Sequence, residues 1–311
     1  MKEVVMFRFV VACILTLGVA FSSPKLVSPD WLKERLGSKD IVLLEFSDTQ
    51  SYLVEGHIPG AVLTEKEDWR VMDEKTGALV KRSIQEYEKL FRKWGINEDS
   101  LVVLYYKGNK MNEILGTVYA YWIFHLLGHE KVALLDGGWL AWMKKGYPVS
   151  YDEPRIREGN FKARYNPKKE VGWKEVYESI GKKPIIDGRP VGHYFGISKF
   201  PAAKKYGHVP CSVPFPWEWW VHKDEESGKL HIQVPDYIES FLQNQGIKKE
   251  DEVLLFCFGG TGAAFVYMMM DFAGYKNMRV YDASKREWEH LNLPLNRFVW
   301  ETFRDCKAPN P

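Results

Sequence analysis

From residue 24 onward the chain alternates two textures. Short uninterrupted apolar runs, bounded by turn-forming residues, are separated by longer stretches whose apolar positions recur every three or four residues. In the first half, Ile41–Phe46, Leu101–Tyr106 and Val132–Leu135 are predicted buried strands, while Pro29–Leu36, Ser83–Trp94, Asn112–Leu127 and Trp139–Lys145 are predicted helices. In the second half, Pro184–Asp187, Glu252–Cys257 and Met278–Asp282 read as strands, with helices over Lys174–Ile180, Pro235–Asn244, Gly262–Ala273 and Lys285–Glu289. Strands buried on both faces and alternating with helices predict an α/β architecture of parallel sheets covered on both sides.

The two halves are copies of one another. GHIPGAV at 56–62 returns as GHVPCSV at 207–213, and VVLYYKGNK at 102–110 aligns with VLLFCFGGT at 253–261, both at an offset of 151. LLDGGWLAW at 134–142 matches VYDASKREW at 280–288, and LLEFS at 43–47 matches IIDGR at 185–189. Matched pieces in one order mean a duplicated domain, each copy long enough for its own core. The charged, non-periodic stretch 150–170 is the expected linker, which sets the first unit at 24–149 and the second at 171–311.

Residues 1–23 have a different texture: Lys2 and Arg8, an apolar run Phe9–Phe21, then Ser22 and Ser23. This layout is that of a signal peptide, too short for a comfortable membrane span, and it predicts export to a periplasmic or other extracytoplasmic compartment. An uncleaved N-terminal anchor is the alternative, and the only route by which a membrane partner is expected.

Composition narrows the classes. With 45% hydrophobic and 27% charged residues in 311, disordered, collagenous and low-complexity readings fail. Forty-three Lys+Arg against 41 Asp+Glu give no electrostatic drive toward nucleic acid. Four cysteines, Cys13, Cys211, Cys257 and Cys306, show no CxxC or Cys/His spacing, so neither a structural metal nor a cofactor is expected.

The chemistry concentrates at EVLLFCFGGTGAAFVYMMM, residues 252–270. A strand ends at Cys257, a glycine-rich loop follows, and a helix begins near Gly262 or Ala263. Ligands of parallel sheets bind at such strand ends. Glycines let successive backbone N–H groups converge on one anion, and with the helix dipole they favour a thiolate. A P-loop and a dinucleotide fingerprint are absent, and Ala263 stands where a cysteine phosphatase would need its arginine. A buried strand cysteine before a glycine turn is the plain alternative.

The DGGWLAW element, the two GH(I/V)P elements and a cysteine loop in the second copy alone together resemble the two-domain rhodanese-like sulfurtransferases, the thiosulfate/3-mercaptopyruvate sulfurtransferase family. The resemblance implies two tandem rhodanese domains, the second catalytic and the first silent. It further implies a Cys257 persulfide that carries sulfane sulfur from a small donor (thiosulfate, mercaptopyruvate or a persulfide) to a thiophilic acceptor. Phe258, Gly259, Gly260, Thr261 and Gly262 would cradle the sulfur, and Asp187 and Arg189 would brace the site. His193 stands where the family usually has a substrate-facing arginine, and Gly259 where thiosulfate users carry a cation. In the first copy Tyr106 replaces the cysteine, and Glu45 and Ser47 replace Asp187 and Arg189.

Of the cluster Trp217, Trp219 and Trp220, at least one is expected to border the site, with Trp217 the candidate. His57 and His208 recur in both copies, which points to structural roles. Cys211 is expected to be a packed thiol, with pairing to Cys257 the alternative, and Arg304–Pro311 reads as a frayed tail. Two rival functions stand beside the transferase: a non-catalytic rhodanese-fold scaffold, and a thiol-redox protein using Cys257 with Cys211.

Overall fold

The computed structural model describes residues 23–306. The expected signal segment, with Cys13, therefore lies outside the described residues apart from Ser23. Each repeat is built on a parallel sheet. In the first, the strands run in the order Leu26–Val27, Val132–Leu135, Leu101–Tyr106, Ile41–Phe46, Val62–Thr64. In the second, the order is Met278–Val280, Val253–Phe256, Ile185–Asp187, Ser212–Pro214. The orders superimpose strand for strand, except that a single bridge from Glu170 to Val280 stands where the first sheet has its two-residue edge strand. The fully apolar runs occupy sheet centres, as burial on both faces requires. The edge strands are only two or three residues long and carry no comparable signal.

Helix Ile84–Lys93 begins at a capping box in which Ser83 and Glu86 satisfy each other's backbone N–H groups. Helix Met111–Leu126 is different, with nearly every side chain from Glu113 on buried, Leu115 excepted. An all-round buried helix needs partners on two sides. One side lies on its own sheet; the other meets helix Thr261–Phe272 of the second repeat, which is equally buried. A single apolar core thus runs from Phe46 and Trp122 through to Phe265 and Met270. Polar pins cross it: the Tyr121 hydroxyl donates to Asp271 (2.8 Å), Lys25 pairs with Asp271 (2.7 Å), and His125 Nδ1 meets the Tyr267 hydroxyl (2.9 Å).

Two antiparallel hairpins absent from the strand prediction project from the repeats, Arg70–Met72 with Leu79–Lys81, and Val221–Lys223 with Leu230–Ile232. Their turns are the same device. Asp73 receives Thr76 Oγ1 and Asp224 receives Ser227 Oγ, while the N–H groups of Gly77 and Gly228 return to the carbonyls of Asp73 and Asp224. Each hairpin crosses to the other repeat.

The histidines of the two GHxP turns are structural in both copies: His57 stacks on Tyr52 at 4.0 Å and His208 on Tyr194 at 3.8 Å. Position 60/211 is left-handed in both, φ 83° at Gly60 and 64° at Cys211. Two expectations are corrected here. Cys211 is not a packed thiol but is disulfide-bonded to Cys306, with Cα atoms 5.5 Å apart. The tail through residue 306 is accordingly tied down, helped by Glu301, which accepts from the Cys211 N–H (2.7 Å) and meets His208 (3.0 Å). The stretch 150–170 straps the first repeat: Ser150 exchanges backbone bonds with His57, and Phe161 is buried in the core.

Candidate active site

Cys257 directly follows strand Val253–Phe256 and is 3% exposed. Its N–H donates to Ser284 Oγ (3.1 Å), whose own hydroxyl donates to the Tyr281 carbonyl (2.6 Å). Ser284 Oγ also lies 3.8 Å from Sγ. Ser284 is left-handed (φ 51°), as is its counterpart Gly138 (φ 57°). The first repeat needs glycine there, since a Cβ on Gly138 would come within 2.8 Å of the Tyr106 ring. Where Tyr106 gives way to Cys257, room opens for a serine against the sulfur. Sequence reasoning missed Ser284, although the aligned DGG and DAS elements mark the position.

The loop Phe258–Gly260 leads into the helix, which starts at Thr261, one residue earlier than expected. Gly260 (φ 86°) is obligatory because a Cβ there would strike Asp282 Oδ1 at 2.4 Å. Gly262 lies so close to the sulfur-bearing side chain that a Cβ would meet Cys257 Cβ at 3.1 Å, the Gly188 carbonyl at 3.2 Å and Trp217 Cδ1 at 3.4 Å. Trp217 is thereby beside the cysteine. Its neighbours are not: Trp220 is buried against Phe215, and Trp219 stacks on Trp300. The N–H groups of the helix's first turn have no helical acceptor, which leaves donors at the end nearest the sulfur.

Asp187 and Arg189 form a buried pair, with Nε to Oδ1 at 2.9 Å and Nη2 to Oδ2 at 2.5 Å; Nη2 also donates to the Gly207 carbonyl (2.9 Å). The guanidinium braces the GHVP turn and its charge is committed. His193 is held below the usual histidine range, first by burial and then by Arg189. It packs edge-on against Phe200 (4.3 Å), which leans on Phe258 (4.8 Å), itself covered by the Arg286 guanidinium (4.9 Å). Lys285, whose N–H donates to the Cys257 carbonyl (3.1 Å), is a buried amine paired with Glu289 and pushed down to about 8 by desolvation.

The loop lies against the first repeat. Arg286 Nη1 donates to Gly77 O at the hairpin tip (2.6 Å), and Arg70 from the hairpin donates to Gly259 O. Neither cross-repeat contact was anticipated. Among the described residues Cys257 is a free thiol and no cluster of His, Cys, Asp and Glu could hold a metal ion.

The family model of the rhodanese-like domain matches this chain twice, at residues 28–145 and 173–291. The chain belongs to the rhodanese family. Its two rhodanese-like domains are the two repeats. Among curated relatives, the sulfur carrier protein TtuD of Thermus thermophilus is 28% identical over 281 residues, covering 86% of this chain and 94% of its own. A Synechococcus elongatus protein named provisionally as a thiosulfate sulfurtransferase is 26% identical over 277 residues, covering 86% and 84%. Among solved structures, the 3-mercaptopyruvate sulfurtransferase SseA of Escherichia coli superposes with a TM-score of 0.69 at 23% identity, covering 84% of this chain and 99% of that one. YnjE gives 0.74 at 21%, covering 91% and 70%. These likenesses carry the tandem rhodanese fold and the sulfurtransferase family.

Proposed function

We propose that this rhodanese is a sulfurtransferase working through a persulfide on Cys257, with the first repeat catalytically silent. The observation that carries the reading is a free, buried thiol at a strand end, facing a glycine loop and a helix N-terminus, in one repeat only. The Cys257 thiolate attacks the outer sulfur of the donor. The donor's bond to that sulfur breaks, and its electron pair leaves with the donor remnant. The resulting Cys257–S–S⁻ is held by loop and helix amides until a nucleophilic acceptor takes the outer sulfur and returns the electron pair to Sγ. Electrons balance without a cofactor.

The surroundings favour a monoanionic donor with an apolar body, such as an organic persulfide, over the thiosulfate dianion. Arg189 is spent on Asp187, His193 is kept toward its neutral form, and the flanking groups include Phe258, Phe200 and Trp217. The Cys211–Cys306 disulfide, a bond that persists in oxidising compartments, supports export through the N-terminal segment. The redox reading loses its partner thiol, because Cys211 is committed to Cys306.

Incubation of the purified chain with thiosulfate, mercaptopyruvate and an alkyl persulfide, followed by intact mass measurement, tests the reading. A one-sulfur adduct on Cys257 that discharges to cyanide or a thiol is expected. Absence of the adduct with all three donors would overturn it in favour of the scaffold.

A further inference from the structure

The crossing hairpins meet the loops they cover in different ways. On the first repeat, the Leu230 N–H donates to the Gly108 carbonyl (2.7 Å) and the Ile232 N–H to the Tyr106 hydroxyl (2.8 Å). The hairpin sits directly on the loop, so close that a Cβ on Gly108 would come within 2.4 Å of Leu230 O. At the offset of 151, Gly108 corresponds to Gly259, Leu230 to Leu79, Ile232 to Lys81 and Val221 to Arg70. On the second repeat the direct pairing is gone. Arg70 Nη2 donates both to Leu79 O and to Gly259 O, so a guanidinium is interposed between hairpin and loop. A Cβ on Gly259 would meet nothing within 4 Å. The Lys81 N–H, equivalent to the donor that caps Tyr106, turns to Asp282 instead (2.7 Å).

Arg70 is held in this place by two groups that also bind each other. Its guanidinium lies over the Tyr119 ring at 4.7 Å, and Nη2 is 3.9 Å from Asp282 Oδ1. The Tyr119 hydroxyl donates to the same Asp282 oxygen (2.9 Å). A cation on the Gly259 carbonyl also polarises the Gly259–Gly260 peptide and strengthens the Gly260 N–H as a donor.

We propose that Arg70 is a positioning residue for sulfur transfer: inserted between the Leu79 and Gly259 carbonyls, it keeps the first repeat's hairpin off the thiol loop and leaves the loop open to sulfur. The proposal rests on the Cys257 persulfide reading. The silent repeat is then a working part of the site, since it delivers the cation that the loop's own sequence lacks.

The test uses the full chain with Arg70→Val, which installs the residue of the counterpart position Val221 in the second repeat's hairpin, and Arg70→Lys. Two rates are read: sulfur loading from an alkyl persulfide by intact mass, and alkylation of Cys257 by iodoacetamide. Arg70→Val is expected to slow loading at least about tenfold through kcat, with KM held within about twofold, while Arg70→Lys recovers to within about threefold of wild type. Alkylation of Arg70→Val is expected to slow in parallel as the hairpin closes. Loading and alkylation rates equal to wild type in Arg70→Val overturn the proposal. A wild-type chain that is alkylated but accepts no sulfur overturns the persulfide reading instead, and the alkylation pair still reports on the spacer. Should Arg70→Val not fold, Arg70→Met, which keeps the stem over Tyr119 and drops the donors, is read in the same way.

Discussion

The two repeats place a buried ion pair at the equivalent point of their sheets, but draw its cation from different positions. In the first, Glu45 pairs with Lys107 (3.1 Å), whose ammonium also donates to Gly56 O and lies 3.8 Å over the Trp139 ring. Lys107 belongs to the loop itself, so the pair pins that loop to the sheet. In the second, the cation is Arg189, two residues beyond Asp187 on the neighbouring strand end, and the loop position is Phe258. The loop there is braced by its glycines and by the other repeat rather than by its own charge. The difference between the two loops is therefore more than the loss of a cysteine. The first loop is filled by Tyr106, anchored by Lys107 and closed by Leu230, and each of these acts through contacts that the second loop does without.

The largest expected effect breaks the comparison at the sulfur. Cys257→Ser should reduce sulfur transfer by at least about a thousandfold. Adding Tyr106→Cys to that variant should restore nothing, because Lys107 and Leu230 still hold the loop shut; measurable transfer by the double variant in a cyanide assay would show that the thiol alone distinguishes the repeats. Next comes stability. The disulfide closes 95 residues of the second repeat, and Cys306→Ser should cost about 2–5 kcal/mol in denaturant unfolding with a smaller effect on per-molecule transfer. The glycines offer a paired test of crowding. Gly108→Ala, at φ 84° and against Leu230 O, should lose about 1–3 kcal/mol, whereas Gly259→Ala, in open space, should stay within about 0.5 kcal/mol. Equal losses would mean that the hairpins cover both loops alike.

The smallest effect is one of pH. Burial holds His125 down to about 3 and His129 to about 4, and both belong to the first repeat. An unfolded histidine titrates near 6.5, so below that pH the unfolded chain binds protons that the folded chain refuses. Stability should fall as pH drops through 6.5 and continue falling toward 4. A melting temperature that declines over this interval, with a shallower slope in His125→Asn, is the expected record.

The sheet centres were legible because both-face burial writes itself as unbroken apolar runs, and Ile41–Phe46, Leu101–Tyr106 and Val132–Leu135 fall where those runs do. The hairpins were not, since Arg70-Val71-Met72 and Val221-His222-Lys223 are short and mixed in character. Their signal lay elsewhere, in Asp73-Glu74-Lys75-Thr76-Gly77 and Asp224-Glu225-Glu226-Ser227-Gly228, which repeat at the offset of 151. At the candidate site, Cys257 and its glycines were readable from local spacing, and the Asp187–Arg189 pair from the family resemblance. Ser284 and Arg70 reach the loop from 27 and 189 residues away along the chain, and Cys306 pairs over 95, distances at which one sequence carries no periodic trace.

The paired helices give the first repeat a part in holding the thiol-bearing one together. Helix Thr261–Phe272 is apolar on every side because Met111–Leu126 covers what its own sheet leaves bare. Without the first repeat, the face that Tyr267, Asp271 and Phe272 present to Tyr121 and His125 would open to water and invite aggregation. The duplication is thus irreversible in a thermodynamic sense: each half is the other's solvent, and the chain should melt as one cooperative body rather than two.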